Sequence, residues 1–226
     1  MLEGLSVVIP CYNEEGALES VVREVVPAAA KCARNYELVI VDDGSRDRSA
    51  EIAGRLEREF PSVRLVRHEK NRGFGAAFRT GVSAVRYEHL TLVPADGQFP
   101  AEDLLRFLPQ ADADIVAGFR VNRPDPVRRR ITTTIFYMVM FFAFGIVLRD
   151  INWVKLYRRR VFEIAKPGFA GIGIDAEIVV RAAKAGLKLS QVRVGYRERT
   201  TGRSTGDDPR RVKQTLLELM KLGWDS

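Results

Sequence analysis

The sequence predicts an α/β fold, with a Rossmann-like, mostly parallel central sheet flanked by helices. Three observations carry this. Short apolar runs recur through the first half of the chain, with helical patterns between them. Their apolar character is continuous rather than alternating, as in strands buried on both faces. Each run ends in a polar loop rich in glycine or acidic residues, at the sheet edge where open α/β folds bind ligands.

The strands are expected at LSVVIP (5–10), YELVIV (36–41), VRLVRH (63–68), HLTLVPA (89–95) and DIVAGF (114–119). Segments 14–33, 47–59, 74–86 and 101–109 read as helices; Asp47 is placed to cap one start and Pro100 precedes another. Right-handed crossovers would join them. The strand tails read PCYNEE (10–15), DDGSRD (42–47), NRGFGAAF (71–78) and ADGQF (95–99). One such loop is ordinarily a turn that caps a helix, but four on one edge point to a ligand site. After residue 119 comes an arginine-rich stretch, FRVNRPDPVRRR (119–130), and then ITTTIFYMVMFFAFGIVL (131–148). A strand or extended piece at 151–157, a helix at 175–186 and a strand at 188–196 follow. The loop RTTGRSTGDD (199–208) and a helix ending near residue 222 complete the reading.

A hydrophobic share of 46% over 226 residues supports one sizeable core, so a single domain spanning 1–226 is expected. Residues 1–110 hold 14 basic and 17 acidic side chains, whereas residues 111–226 hold 22 and 12, so the halves carry −3 and +10. A basic half suits an anionic partner: nucleic acid, anionic membrane or a phosphorylated small molecule. Nucleic acid is disfavoured, because the arginines flank an apolar helix instead of alternating with stacking aromatics on a strand. Cys11 and Cys32 fall at opposite ends of the first expected helix, beyond disulfide reach, which suits a reducing cytoplasm. Two histidines and no CxxC argue against zinc. MLEGLSVVIP opens as a strand and lacks the sections of a signal peptide.

Taken in order, PCYNEE, YELVIVDDGSRDRS, NRGFGAAFRTG, ADGQ, RRRITT, LRDINWVKLYRRRVF, IDAEIVVRAAKAG and RTTGRS resemble the family 2 glycosyltransferases of the GT-A fold. Within that family the likeness is to the polyprenyl-phosphate sugar transferases of the dolichol-phosphate mannose synthase type. The resemblance implies inverting transfer of a sugar from a nucleotide diphosphate, such as GDP-mannose or a UDP-hexose, to the phosphate of a membrane lipid. It also implies a nucleotide-sugar half, 1–119, and an acceptor half, 120–226. One departure stands out: Pro94 replaces the first Asp of the family's DxD, while Asp96 and Gln98 match the second Asp and the Gln that follows.

A departing nucleoside diphosphate gathers negative charge, which Mg²⁺ or Mn²⁺ can neutralise through hard oxygen ligands, several of them from the substrate itself. Asp96 and Gln98 are the expected metal ligands, and Asp96 also a catalytic residue. The resemblance places the nucleoside and sugar among Pro10, Tyr12, Glu14, Asp42, Asp43, Gly73, Gly75, Ala95 and Asp96. Asp43 is read as ordering its own turn, and the glycines as admitting the donor close to the backbone. Arg199 and Arg203, on a mobile-looking loop, are expected to clamp the diphosphate. Arg120, Arg129, Arg130 and Thr133 are expected to hold the acceptor phosphate, with Arg129 counted as catalytic. A phosphate is already ionised at pH 7 and needs position and neutralisation more than a base.

Asp175 falls where relatives with hydroxyl acceptors carry a base, so it is a third catalytic candidate; alternatively it orients an arginine, as Glu177 would. Residues 131–148 are short for a spanning helix and suit an amphipathic helix on the membrane surface, on the cytoplasmic face. The same apolar run can instead belong to the ordinary core, or be buried between subunits. Two rival readings stay open here: transfer to a saccharide or other hydroxyl acceptor with Asp175 as base, and a nucleotide-sugar-binding protein that has lost catalysis through Pro94.

Overall fold

The computed structural model describes residues 1–121, 127–171 and 173–198, the side chains of 127–132 excepted. Seven strands form one sheet in the order β3-β2-β1-β4-β6-β5-β7. They are β1 (Leu2–Cys11), β2 (Ala33–Asp42), β3 (Val63–Arg67), β4 (His89–Leu92), β5 (Ile115–Arg120), β6 (Lys155–Arg158) and β7 (Leu189–Val194). β1 pairs in parallel with β2 on one side and β4 on the other. The chain thus reverses its direction of growth across the sheet at β1, and the crevice beyond β1 is where such sheets bind ligands.

The continuous apolar runs are explained by burial on both faces. Val7 and Ile9 of β1, with Leu38 and Ile40 of β2, enter one core, while Val8, Val39 and Val41 enter the other. The alternation follows from the two-residue period of a strand. The first core is closed by α1 (Leu18–Cys32), α2 (Ser49–Glu59) and a 3-10 helix over Ala101–Gln110. The second is closed by α3 (Phe74–Ala84), α4 (Val127–Phe144), α5 (Arg160–Ala165) and α6 (Ile174–Lys184). The cap of α2 expected of Asp47 falls to Arg48, which makes no side-chain cap bond; Asp47, one residue before it, accepts from the Ser49 N–H at 2.9 Å.

Two further expectations need correction and a third, the strand or extended piece at 151–157, is made specific. The helix expected over 101–109 is of the tighter 3-10 kind. The extended piece at 151–157 is an antiparallel strand, β6, inserted between β4 and β5, and it is followed directly by α5, which local pattern did not reveal. The run 131–148 is not one helix. α4 stops at Phe144, and Gly145, at φ +66°, turns the chain so that its N–H donates to Phe141 O at 2.8 Å and that of Ile146 to Met140 O at 3.2 Å. This is a left-handed glycine stop, and only glycine adopts it without strain. α4 buries Phe136 and Met140 in the second core and exposes Ile135, Met138, Phe141 and Phe142. Among the described residues, no helix is long and apolar enough to cross a membrane.

Candidate active site

The site begins with two loops stitched together beyond β1 and β2. The Asp43 N–H donates to Cys11 O at 2.8 Å. Those of Asn13 and Glu14 donate to the hydroxyls of Ser45 and Ser49, at 3.0 and 2.8 Å. In return the Arg46 N–H reaches Asn13 Oδ1 at 2.8 Å, and that of Arg48 reaches Glu15 Oε2 at 2.9 Å. Asn13 can sit at φ +56° because its side chain is anchored in this way. The lacing leaves Tyr12 40% exposed on the rim, where its ring is available to a base. Asn13, Ser45 and Ser49 escaped the sequence reading; the only signal was their type, since Asn and Ser commonly bond loop backbone.

The two acidic residues after β2 do separate work. Asp42 is fully buried, accepting from the Ser45 N–H at 3.1 Å and from Arg67 Nε at 3.1 Å. Asp43 accepts from the N–H groups of Arg72 and Gly73 at 2.9 and 2.8 Å, and its Oδ1 lies 2.6 Å from His68 Nδ1. His68 Nε2 lies 2.9 Å from the Thr80 hydroxyl. Asp43 therefore orders the β3–α3 loop, whereas the turn it was expected to order is held by Asp42 through the Ser45 N–H. Gly73 and Gly75 were read as making room for the donor. For Gly75 the close neighbour is the chain itself: a Cβ there would lie 2.4 Å from Phe169 O and 2.7 Å from Ala170 O.

The loop after β4 carries Ala95, Asp96 and Gln98. Asp96 Oδ1 accepts from the Gln98 N–H at 3.0 Å, closing a tight turn through Gly97, and Gln98 Nε2 donates to the Tyr196 hydroxyl at 2.9 Å. That bond leaves the Gln98 side-chain oxygen on the other branch of the amide. A carboxylate and an amide oxygen two residues apart are hard donors of the kind a divalent cation takes. Among the described residues no group of three or more His, Cys, Asp or Glu could hold a metal. The donor set thus fits an ion that completes its shell with substrate phosphate and water, and not a closed protein cage.

β6 brings the second half of the chain to this edge. Lys155, its first residue, is fully buried, and its ammonium donates to Asp175 Oδ1 at 2.7 Å and to Trp153 O at 2.9 Å. The Tyr157 hydroxyl donates to the same Asp175 oxygen at 3.2 Å. Burial and the nearby Asp175 charge push the Tyr157 phenol well above its ordinary pKa, so it remains a donor. Asp175 therefore orients a lysine and a tyrosine, not the arginine expected. Glu177 does pair with an arginine, Arg181 at 3.0 Å, but it also receives the Gly168 and Phe169 N–H groups and so fixes the loop before α6.

Arg120 ends β5, bound bidentately to Asp150 and stacked 4.2 Å over Trp153. Trp153 in turn meets Phe99, next to the Asp96 loop, at 6.3 Å between ring centres. The candidate donor loop and one candidate acceptor residue thus share one aromatic patch. Thr133 is half-buried on α4. The side chains of Arg129 and Arg130, and all of Arg199 and Arg203, lie outside the described residues, as does the helix expected near the end of the sequence.

Comparison with known proteins agrees with this architecture. The model of Glycosyl transferase family 2 matches residues 6–164. An undecaprenyl-phosphate 4-deoxy-4-formamido-L-arabinose transferase of Pseudomonas aeruginosa is 31% identical over 225 residues, 98% of this chain and 63% of the relative. A transferase of the same name from Photorhabdus laumondii is 32% identical, covering 72% of this chain and 51% of the relative. The chain therefore spans less than two thirds of the length of these relatives. Among solved structures, glucosyl-3-phosphoglycerate synthase of Mycobacterium tuberculosis, in complex with Mn²⁺, UDP and glucosyl-3-phosphoglycerate, superposes with a TM-score of 0.74 at 22% identity. That superposition covers 96% of this chain and 79% of the synthase, and it identifies the fold as GT-A. With its family model matched over most of its length, the chain belongs to glycosyl transferase family 2.

Proposed function

We propose that this protein is an inverting glycosyltransferase that moves a sugar from a nucleotide diphosphate donor to a polyprenyl phosphate at the membrane surface, assisted by Mg²⁺ or Mn²⁺. The observation that carries the reading is the shared patch: Phe99 of the Asp96 loop meets Trp153 edge to face and Arg120 lies over the Trp153 ring, which sets a guanidinium beside the candidate metal loop. The names of the relatives point the same way. Asp175 already serves Lys155 and Tyr157, and an ionised phosphate acceptor requires no base from the protein.

In this reading Tyr12 and the buried Asp42 and Asp43 loops form the nucleoside end of a nucleotide-sugar half, residues 1–119. Asp96 and Gln98 would hold the metal, which supplies positive charge to the departing diphosphate. Arg120, with Arg129, Arg130 and Thr133 from the acceptor half, 120–226, orients the lipid phosphate in line with the anomeric carbon. The exposed face of α4, Ile135, Met138, Phe141 and Phe142, rests on the lipid surface on the cytoplasmic side, behind arginines that face lipid phosphates.

A thermal-shift screen of UDP- and GDP-sugars with and without Mn²⁺ identifies the donor, because a ligand that binds only the native state raises its stability. The chosen donor, Mn²⁺ and undecaprenyl phosphate in detergent should then yield glycosylated lipid. Transfer to soluble saccharides but not to the lipid phosphate would refute the acceptor assignment. Donor binding without transfer to either would refute the enzyme.

A further inference from the structure

The Arg120 side chain is held on several sides. Its Nε and Nη2 donate to the two Asp150 oxygens at 2.6 and 2.9 Å, and its backbone N–H also reaches Asp150, at 3.4 Å. Its guanidinium lies 4.2 Å from the Trp153 ring centre and 5.9 Å from that of Tyr196. The Arg120 side chain keeps 10% of its exposure, and that of Asp150 keeps 14%. A guanidinium carries five N–H donors in a planar fork. Asp150 takes one edge, and among the described residues Nη1 has no hydrogen-bond acceptor. The indole N–H of Trp153 is buried with no partner among the described residues. Unfilled donors cluster here, beside rings that touch Phe99 and, through Tyr196, Gln98.

We propose that Asp150 is a positioning residue for the acceptor phosphate: it holds one edge of the Arg120 guanidinium flat on Trp153 so that the other edge stands ready for a second anion. This rests on the lipid-phosphate reading above. Two bonds from one carboxylate prevent rotation about the last torsion of the arginine, which one bond would permit. The Arg120–Asp150 pair is net neutral. Its contribution to an incoming phosphate is therefore the direction of its N–H groups, while net attraction falls to the other arginines. The stack onto Trp153 and the Gln98–Tyr196 bond tie this direction to the loop that would carry the metal, so donor and acceptor sides share one rigid wall.

The test is steady-state transfer by the full chain, with the donor identified above, Mn²⁺ and undecaprenyl phosphate. Asp150→Asn should raise the acceptor KM about 10- to 100-fold, the range for losing a charge-assisted hydrogen bond, while the donor KM moves less than about twofold. Asp150→Glu, which retains the charge, should recover part of the loss. Arg120→Gln combined with Asp150→Asn should be no worse than Arg120→Gln alone, because Asp150 acts only through Arg120. An acceptor KM for Asp150→Asn at or below the wild-type value overturns the proposal; a fall would mean that Asp150 competes with the phosphate. Equal losses of donor and acceptor affinity with a lowered Tm overturn it in favour of a structural role. If Asp150→Asn does not fold, the Asp150→Glu variant decides by the same KM comparison. Wild-type chain that never glycosylates the lipid refutes the function itself and this proposal with it, whereas wild-type transfer with an unaffected Asp150→Asn refutes this proposal alone.

Discussion

Gly75→Ala is expected to destabilise the protein by about 2–4 kcal/mol, although the same change in an exposed helix would stabilise it. Gly75 is buried in the first turn of α3, and its N–H donates to Ala170 O at 2.9 Å. An added Cβ would stand 2.4 Å from Phe169 O, 2.7 Å from Ala170 O and 2.8 Å from Ala170 C. All three are backbone atoms and cannot rotate away. Their segment is tied down, since Glu177 holds the Gly168 and Phe169 N–H groups and Arg79 Nη1 donates to Phe169 O at 2.8 Å. Relieving the clash requires a retreat of nearly 1 Å. Overpacking of this kind costs about 1–3 kcal/mol. Weakening the Gly75 and Arg79 bonds adds about 1 kcal/mol each, and the better helix propensity of alanine returns about 1 kcal/mol. Urea unfolding of the purified protein should show a midpoint lower by about 1 M with an unchanged slope. Gly171→Ala is the control, because a Cβ there meets nothing within 4 Å and the change should stay within about 0.5 kcal/mol. Indistinguishable midpoints for the two variants would refute the reasoning. The segment runs on into α6, so the same variant should slow transfer by displacing Asp175.

Asp96→Asn should abolish the extra thermal stabilisation that Mn²⁺ gives with donor while leaving that of nucleotide alone; equal Mn²⁺ effects in both proteins would remove Asp96 from the metal site. Lys155→Met removes the cation from the Asp175 carboxylate, leaving it the Tyr157 hydroxyl, and takes a donor from the Trp153 carbonyl; it should cost about 3 kcal/mol, or roughly 6 °C in Tm for a chain of this size. Adding Asp175→Asn should recover part of that loss, and a neutral single variant would contradict the buried pair. Burial pushes the Cys11 thiol up to about 12 and that of Cys32 up to about 11. Thiolate is the reactive form, so at pH 8 the native protein should react with a thiol reagent at under about a tenth of its rate in urea, the rate rising only as pH climbs towards those values. Prompt labelling of either cysteine in the folded protein would disprove its burial.

The sequence by itself determined the strand and helix order through residue 119 and the edge at which the polar loops of the candidate site gather. The reason is local: double-sided burial forces continuous apolar strands, and each ends in a polar loop whose residue types are legible in place. The resemblance carried by the ordered set of motifs also named Asp96, Gln98 and Arg120 as candidates, while the turn assigned to Asp43 is held by its neighbour Asp42. Only the tertiary structure decided what those residues touch. Asp150 lies 30 residues from Arg120 in sequence, Asp175 lies 20 from Lys155, and Phe169 lies 90 from its partner Arg79. It also decided that β6 runs antiparallel between β4 and β5, that α4 turns Phe136 and Met140 inward, and that a side chain at Gly75 would meet the chain's own backbone at Phe169 and Ala170. Such pairings depend on strand register and on which face of a helix meets the sheet. Those are properties of the packed whole, set by the shape of distant surfaces, and a short window of residues does not contain them.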